Sequence, residues 1–248
     1  MLADNVERDM NAALLVAPDN PYLLATRADM LVDNGDPKSA LRDASMAIKQ
    51  KPDDADILWI KARAHMELDQ LKEAEKDLDR ALELEPGVRR VRLLRANLHL
   101  RRAAFEQAIA DTNAILAERP HDPQALELRS MIHTANGRID EAVTDLNTIL
   151  GPPGDNASGT ASMPHFNQLM VQRAILLAKL DRSAEAGRDL DVIVTSGGKR
   201  VVIRLQVFLR RNGFEDVPLD GKRTAAFDEA LQACIVNQAC GRGLVRSL

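Results

Sequence analysis

The sequence predicts an all-α solenoid of helical hairpins followed by a small helical C-terminal module. Three observations predict it. Ala and Leu dominate, and aromatics make up only 3% of the 248 residues, a composition that favours helix over sandwich or barrel. Pro18, Pro52, Pro86 and Pro120 stand 34 residues apart, each after a stretch of helical periodicity. Proline lacks an N–H and disfavours helix in the residue before it, so it is a natural stop. Two further marks keep the same register: Arg27-Ala28, Lys61-Ala62, Arg95-Ala96 and Arg129-Ser130, and the small residues Ala40, Ala74, Ala108 and Ala142. A fixed period of this length is the signature of a repeat architecture.

Each unit reads as two helices. Residues 1–20 form a leading half-unit, because Asn5 to Ala17 matches only a second helix, ending at Pro18. Leu14 and Leu15 then lack the first helix of their own hairpin, which predicts that an N-terminal neighbour has been removed, with a lone capping helix as the alternative. Residues 21–198 hold five units. In the second of these, Ile57 to Leu68 gives the first helix, Asp69-Gln70 the turn and Leu71 to Leu84 the second helix. Ala62 and Ala74 let the two backbones approach closely. The fifth unit is carried by Arg173-Ala174, Ala186, Leu190 and Ile193. Its Arg-Ala pair comes 44 residues after Arg129-Ser130, so ten residues are inserted. They fall in the Gly-, Pro-, Ser- and Asn-rich stretch 151–164, read as a surface loop. Residues 199–248 form the C-terminal module, read as helix, turn and helix over Val202 to Leu231.

Charge supports two kinds of module. The net charge is −4, so no global basic field attracts nucleic acid or an anionic membrane. Yet residues 199–248 carry nine basic and five acidic residues, against twenty-four basic and thirty-two acidic before them. No apolar run approaches the roughly 18 residues needed to span a bilayer, so no membrane insertion is expected. The first ten residues are mostly polar and do not read as a signal peptide.

The 34-residue unit resembles the tetratricopeptide repeat over roughly Asn5 to Gly198. That family prefers small residues at its eighth and twentieth positions, Ala near the twenty-seventh and Pro at the thirty-second. Ala28, Ala40, Ala47 and Pro52 meet those positions, as do Ala62, Ala74, Ala81 and Pro86. Later units depart: Ile115 and Ile149 replace the Ala, and Gly154 the last Pro. The resemblance implies a right-handed superhelix whose first helices line a concave, partner-binding groove. Counted onto this sequence, the groove takes Tyr22, Ala25 and Asp29 from the first unit and Trp59, Arg63 and Met66 from the second. It takes Arg90, Asn97 and Arg101 from the third, and Glu127 and Met131 from the fourth. Trp59 and Tyr22 are the only Trp and Tyr in the chain, and aromatics are enriched at binding hot spots. Packing against a neighbouring repeat is the alternative for Trp59. The carboxylate-clamp subtype is not expected, because Ala25 and Asp29 stand where it uses Lys and Asn.

His65, His99 and His133 keep the same period, but equivalent sites on adjacent repeats lie about 10 Å apart. Zinc ligands must all sit about 2 Å from one ion. No metal or cofactor is expected, and the histidines read as packing residues. No phosphate loop, zincin helix or nucleophile elbow is present, so the chain does not read as an enzyme.

The tail string Leu205-Gln206, Leu209, Gly213-Phe214, Val217, Asp220-Gly221 and Ala230-Leu231 resembles the small helical peptidoglycan-binding domain. It departs from that family at Thr224, Phe227 and Cys234-Ile235. Cys234 and Cys240, the only cysteines, read either as a disulfide closing a short loop or as buried free thiols. A disulfide fits an oxidising compartment and so favours periplasm or cell envelope over cytoplasm. The expected function is protein–protein interaction, with a protein or peptide as ligand and no nucleic acid. Two alternatives stand beside it: attachment to peptidoglycan through the tail, or the regulatory end of a larger enzyme.

Overall fold

The computed structural model describes residues 2–155 and 165–247. Residues 156–164 of the expected loop lie outside the described residues. Thirteen helices are described, and no strand among the described residues. The chain divides into two compact units, residues 1–120 and 121–248.

The first unit holds α1 (Leu2–Val16), α2 (Pro21–Asp33), α3 (Pro37–Gln50), α4 (Ala55–Glu67), α5 (Leu71–Leu84), α6 (Arg89–Arg101) and α7 (Phe105–Glu118). Helices α2/α3, α4/α5 and α6/α7 pair as hairpins, and each hairpin packs on the next. Helix starts are written in side chains. Asn20 accepts from the Tyr22 and Leu23 amides at 3.0 and 3.2 Å, Asp36 from Ser39 at 3.1 Å, and Asp54 from Asp56 and Ile57 at 3.1 Å. Each satisfies donors that the first helical turn leaves open. Helix α1 packs on α2, with Leu14 buried and Leu15 and Val16 87% and 88% exposed.

The second unit holds α8 (Pro123–Ala135), α9 (Ile139–Leu150), α10 (Phe166–Lys179), α11 (Ser183–Arg211), α12 (Ala225–Val236) and α13 (Gln238–Ser247). Helices α8/α9 and α10/α11 form hairpins, and α12 and α13 pack on α10 and α11. Helix α11 breaks at Gly198, whose φ of 58° and ψ of −160° are non-helical. Two helical stretches, one from the fifth hairpin and one from the tail, meet there.

The small residues sit where the helices touch. Ala28, Ala40, Ala62, Ala74, Ala96, Ala108, Ala142, Ala174 and Ala186 are all fully buried. A methyl side chain lets ridges interlock at the closest interaxial distances. The turn inside each hairpin adds another periodic mark: Gly35, Asp69, Ala103, Gly137 and Asp181 all have φ between 55° and 79°. The residue after each left-handed one returns its amide to a carbonyl inside the preceding helix, as Gln70 does to His65 at 2.8 Å. That is the Schellman closure. Glycine supplies it without strain at positions 35 and 137, whereas Asp69, Ala103 and Asp181 take the left-handed conformation with a Cβ.

Candidate functional site

Every hairpin carries one buried ion pair, from a basic residue on its first helix to an aspartate 16 residues later on its second. The pairs are Arg27–Asp43 at 2.5 Å, Lys61–Asp77 at 2.8 Å, Arg95–Asp111 at 2.7 Å, Arg129–Asp145 at 2.5 Å and Arg173–Asp189 at 2.7 Å. The aspartates are 0–7% exposed. These bonds give the periodic Arg/Lys mark its chemistry: each cation ties the two helices of its hairpin. The aspartates were the missed half of the pattern. Asp43, Asp77, Asp111 and Asp145 keep the same 34-residue period and Asp189 the same 44-residue step.

His65, His99 and His133 sit one turn after the cation, buried, with Nε2 at 3.6, 4.0 and 4.0 Å from the same aspartates. Burial pushes the His99 and His133 pKa values down, and the neighbouring carboxylates only partly oppose it. Nδ1 of His65 lies 2.7 Å from Gln70 Oε1, while Nδ1 of His99 and His133 is buried without a hydrogen-bond partner among the described residues. Among the described residues no group of three or more His, Cys, Asp or Glu could hold a metal ion.

The residues counted onto the first-helix face of the first unit are brought together by ion pairs between successive hairpins. Arg63 on α4 reaches back to Asp29, and to Asp33 at 2.6 Å, both on α2. Arg90 on α6 pairs with Asp56 on α4. Arg101 donates to the Met66 carbonyl and to Asp69, both at 2.9 Å. The cation of one hairpin therefore meets an acid of the hairpin before it, and charges of both signs on this face largely neutralise one another. Trp59 lies inside this lattice, with the guanidinium carbons of Arg63 and Arg90 at 4.9 and 5.1 Å from its ring. Its indole is half-buried against the cores of both neighbouring hairpins, and Nε1 is buried without a hydrogen-bond partner among the described residues. Trp59 thus combines packing between repeats with a place on the face.

Other members of the face divide by exposure. Tyr22 is exposed and carries Lys51 over its ring at 4.2 Å. Ala25 is buried in the first core and offers no contact surface. Between α4 and α6 lies a recess of about 160 Å³ lined by Arg63, Met66, Glu67, Leu94, Asn97 and Arg101. Met66 is almost fully buried at its floor, and Asn97 is exposed with no hydrogen-bond partner among the described residues. Donors, one carboxylate and apolar carbon therefore converge on one small hollow. In the second unit, Glu127 is half-buried and Met131 is 46% exposed on α8.

Two tetratricopeptide-repeat family models match the chain, over residues 31–98 and 93–157. The chain carries tetratricopeptide repeats. Solved structures share the fold. A tetratricopeptide repeat protein from Parabacteroides merdae superposes with a TM-score of 0.62 at 19% identity, over 99% of this chain and 91% of that one. MamA from Desulfovibrio magneticus gives 0.59 at 15% identity, over 71% and 93%. YrrB, a tetratricopeptide protein described as having an unusual peptide-binding site, gives 0.55 at 14% identity, over 73% and 89%. No curated protein matches the chain.

The tail lies beyond the matched tetratricopeptide segments, and its geometry explains its motif. Gln206 is fully buried. Its amide donates to Asp220 Oδ1 at 3.1 Å and to the Lys222 carbonyl at 2.9 Å, and its Oε1 accepts from the Gly221 amide at 2.9 Å. One side chain thereby clamps the Asp220-Gly221 turn onto α11. Leu205, Leu209, Phe227 and Leu231 fill the core beneath it. Gly213, with φ of 95°, ends α11, and the Phe214 amide returns to the Leu209 carbonyl at 3.1 Å. Cys234 and Cys240 are joined by a disulfide, with Cα atoms 5.2 Å apart. Arg223 ties the tail to the fifth repeat through Asp191.

Proposed function

We propose that the chain is a protein-interaction scaffold that holds a peptide or a segment of a partner protein on the first-helix face of its first unit. The observation that carries this reading is the recess between α4 and α6. Most charges on the face are already paired, yet the Asn97 amide is free beside Arg63, Arg101 and an apolar floor. A carboxamide can donate to and accept from a peptide backbone at once, while Met66 and Leu94 offer contact to an apolar side chain. Peptides selected from a random display library on the intact protein test it. Asn97→Lys should weaken a selected peptide about tenfold, the cost of roughly one good hydrogen-bonded contact. Selected peptides that bind the Asn97→Trp variant as well as the parent would refute the reading.

A second reading is favoured by the tail. The Gln206 clamp and the Cys234–Cys240 disulfide support a module, docked on the fifth hairpin, in an oxidising envelope, where disulfides persist. We infer that this module contacts peptidoglycan. Sedimentation with purified peptidoglycan tests it, and a module that stays in solution serves as a cap on the repeats.

A further inference from the structure

The stretch of α11 beyond Gly198 has an exposed face rich in cations. Val202, Leu205, Gln206 and Leu209 point into the tail core and fix its rotation. At 100° per residue, the opposite side collects Lys199, Arg200, Arg204, Arg210 and Arg211 in an arc of about 140° over a length of about 18 Å. All five are exposed. Between residues 199 and 223 there are seven basic residues and three acidic ones.

Many arginines of the repeats are matched with carboxylates, as the hairpin pairs and the inter-hairpin pairs of the first unit show. Lys199, Arg200, Arg210 and Arg211 have no such partner among the described residues. The nearby acid Asp220 is engaged by Gln206 and the Lys222 amide. Unpaired cations on one rigid face form a field that remains available to an outside anion.

Apolar side chains interrupt that field. Ile203 is 38% exposed in the middle of the cationic face, and Leu219 is 53% exposed. Gly221 brings the Leu219 turn alongside: a Cβ there would lie within 3 Å of the Lys199 and Ile203 side chains. Exposed aliphatic groups among cations add nothing to a contact with duplex phosphates. They do add to a contact with lipid, where buried apolar area and headgroup attraction act together. No described helix is long and apolar enough to cross a membrane, so the arrangement suits a surface contact.

We propose that the exposed face of residues 199–211, with Leu219, docks on an anionic phospholipid surface. This surface lies in the second unit and is independent of the peptide reading of the first. The test is co-sedimentation of the intact protein with phosphatidylcholine vesicles, with and without phosphatidylglycerol. Binding is expected only to the anionic vesicles, at low salt, and it should be lost at high salt. At roughly fivefold per cation, the variant Lys199→Gln/Arg200→Gln/Arg210→Gln/Arg211→Gln should bind at least a hundredfold more weakly. Ile203→Ser/Leu219→Ser should weaken vesicle binding severalfold and leave retention on heparin unchanged. Salt dependence of the parent protein gives the charge reading independently if the fourfold variant fails to fold. No binding to anionic vesicles at low salt overturns the proposal. So does equal vesicle binding by the Ile203→Ser/Leu219→Ser variant, or displacement from vesicles by duplex DNA of matched phosphate content, which would assign the face to nucleic acid.

Discussion

Removing the Asp189 carboxylate should do more damage than any other single truncation in the ion-pair series. Arg173 and Asp189 are both fully buried, and both carboxylate oxygens take guanidinium N–H groups at 2.7 Å. The same cluster holds the chain after α9. Arg173 donates to Asn147 at 2.9 Å and to the Gly151 carbonyl, and the Gly154 amide donates to Asp189 at 3.0 Å. Asp189→Ala leaves a guanidinium without its counter-charge in a site that water does not reach. Breaking a buried pair from one side costs about 3–5 kcal/mol. At about 2–4 °C per kcal/mol for a chain of this size, the melting temperature should drop by roughly 6–20 °C. Lys61–Asp77 is the control: the lysine is 21% exposed, so water compensates part of the loss and Asp77→Ala should cost less. Amide hydrogen exchange localises the effect, with protection lost in α9 to α11 and kept in α4 and α5. The double variant Arg173→Met/Asp189→Leu removes both charges and should recover most of the loss, because an apolar pair of similar volume needs no counter-ion. If Asp189→Ala melts within about 1 kcal/mol of the parent, the pair is not the tie described.

Three further outcomes are expected. Ala62→Leu or Ala74→Leu, at fully buried contacts between helices, should overpack the hairpin and lower stability by about 1–3 kcal/mol in urea denaturation. His99 and His133 have folded pKa values below the ordinary 6.5, so the unfolded chain binds more protons just below that pH. Stability should therefore be full above about pH 6.5 and decline as the pH falls through the lowered values. Thermal melts at neutral and acidic pH check the sign, and His99→Gln/His133→Gln should flatten the slope. Cys234→Ser/Cys240→Ser should cost about 2 kcal/mol by the loop-closure relation for so short a ring, measured by hydrogen exchange in α12 and α13. Unchanged protection there would mean that docking on α10 and α11 alone holds the tail.

The repeat was legible because its marks are steric and strictly periodic. Alanine at the crossings and proline after the second helices constrain backbone, and backbone constraints recur wherever the geometry does. Leu71–Leu84 was placed to the residue, and the first helix of the same hairpin began at Ala55 because the Asp54 cap opens it two residues before Ile57. The ion pairs were half legible. The cations stand out beside their alanines, but an aspartate in a helix reads as solvated surface unless its period is compared with that of the cations. The face of the first unit was less legible, since counting positions does not say which charges neutralise each other. Arg63 and Trp59 do fall together, with the guanidinium carbon 4.9 Å from the ring. Spacing alone did not disclose that Arg90 covers the indole as well, that Ala25 is core, or that the Asn97 amide is left free.

Pairing sorts this surface in a way that charge counting does not. Residues 1–198 hold more charge of both signs than the tail, yet many of their cations serve the fold: one set closes the five hairpins and another joins successive hairpins of the first unit. A cation held by a partner 2.5–2.9 Å away has little field left for a ligand, because the carboxylate cancels it within a distance shorter than the Debye length of about 8 Å. The proposed recognition on the first unit therefore rests on shape, on the Asn97 amide and on apolar floor, which suits a peptide backbone better than a highly charged ligand. The tail reverses this. Its core is tied by Gln206 and a disulfide. Arg223 alone of the tail cations discussed above is held by carboxylates, those of Asp191 and Asp228, whereas Lys199, Arg200, Arg210 and Arg211 have no carboxylate partner among the described residues. The first unit thus carries a largely neutralised face and the tail carries exposed cations without a carboxylate partner among the described residues, which is why the two proposals call for ligands of different chemistry.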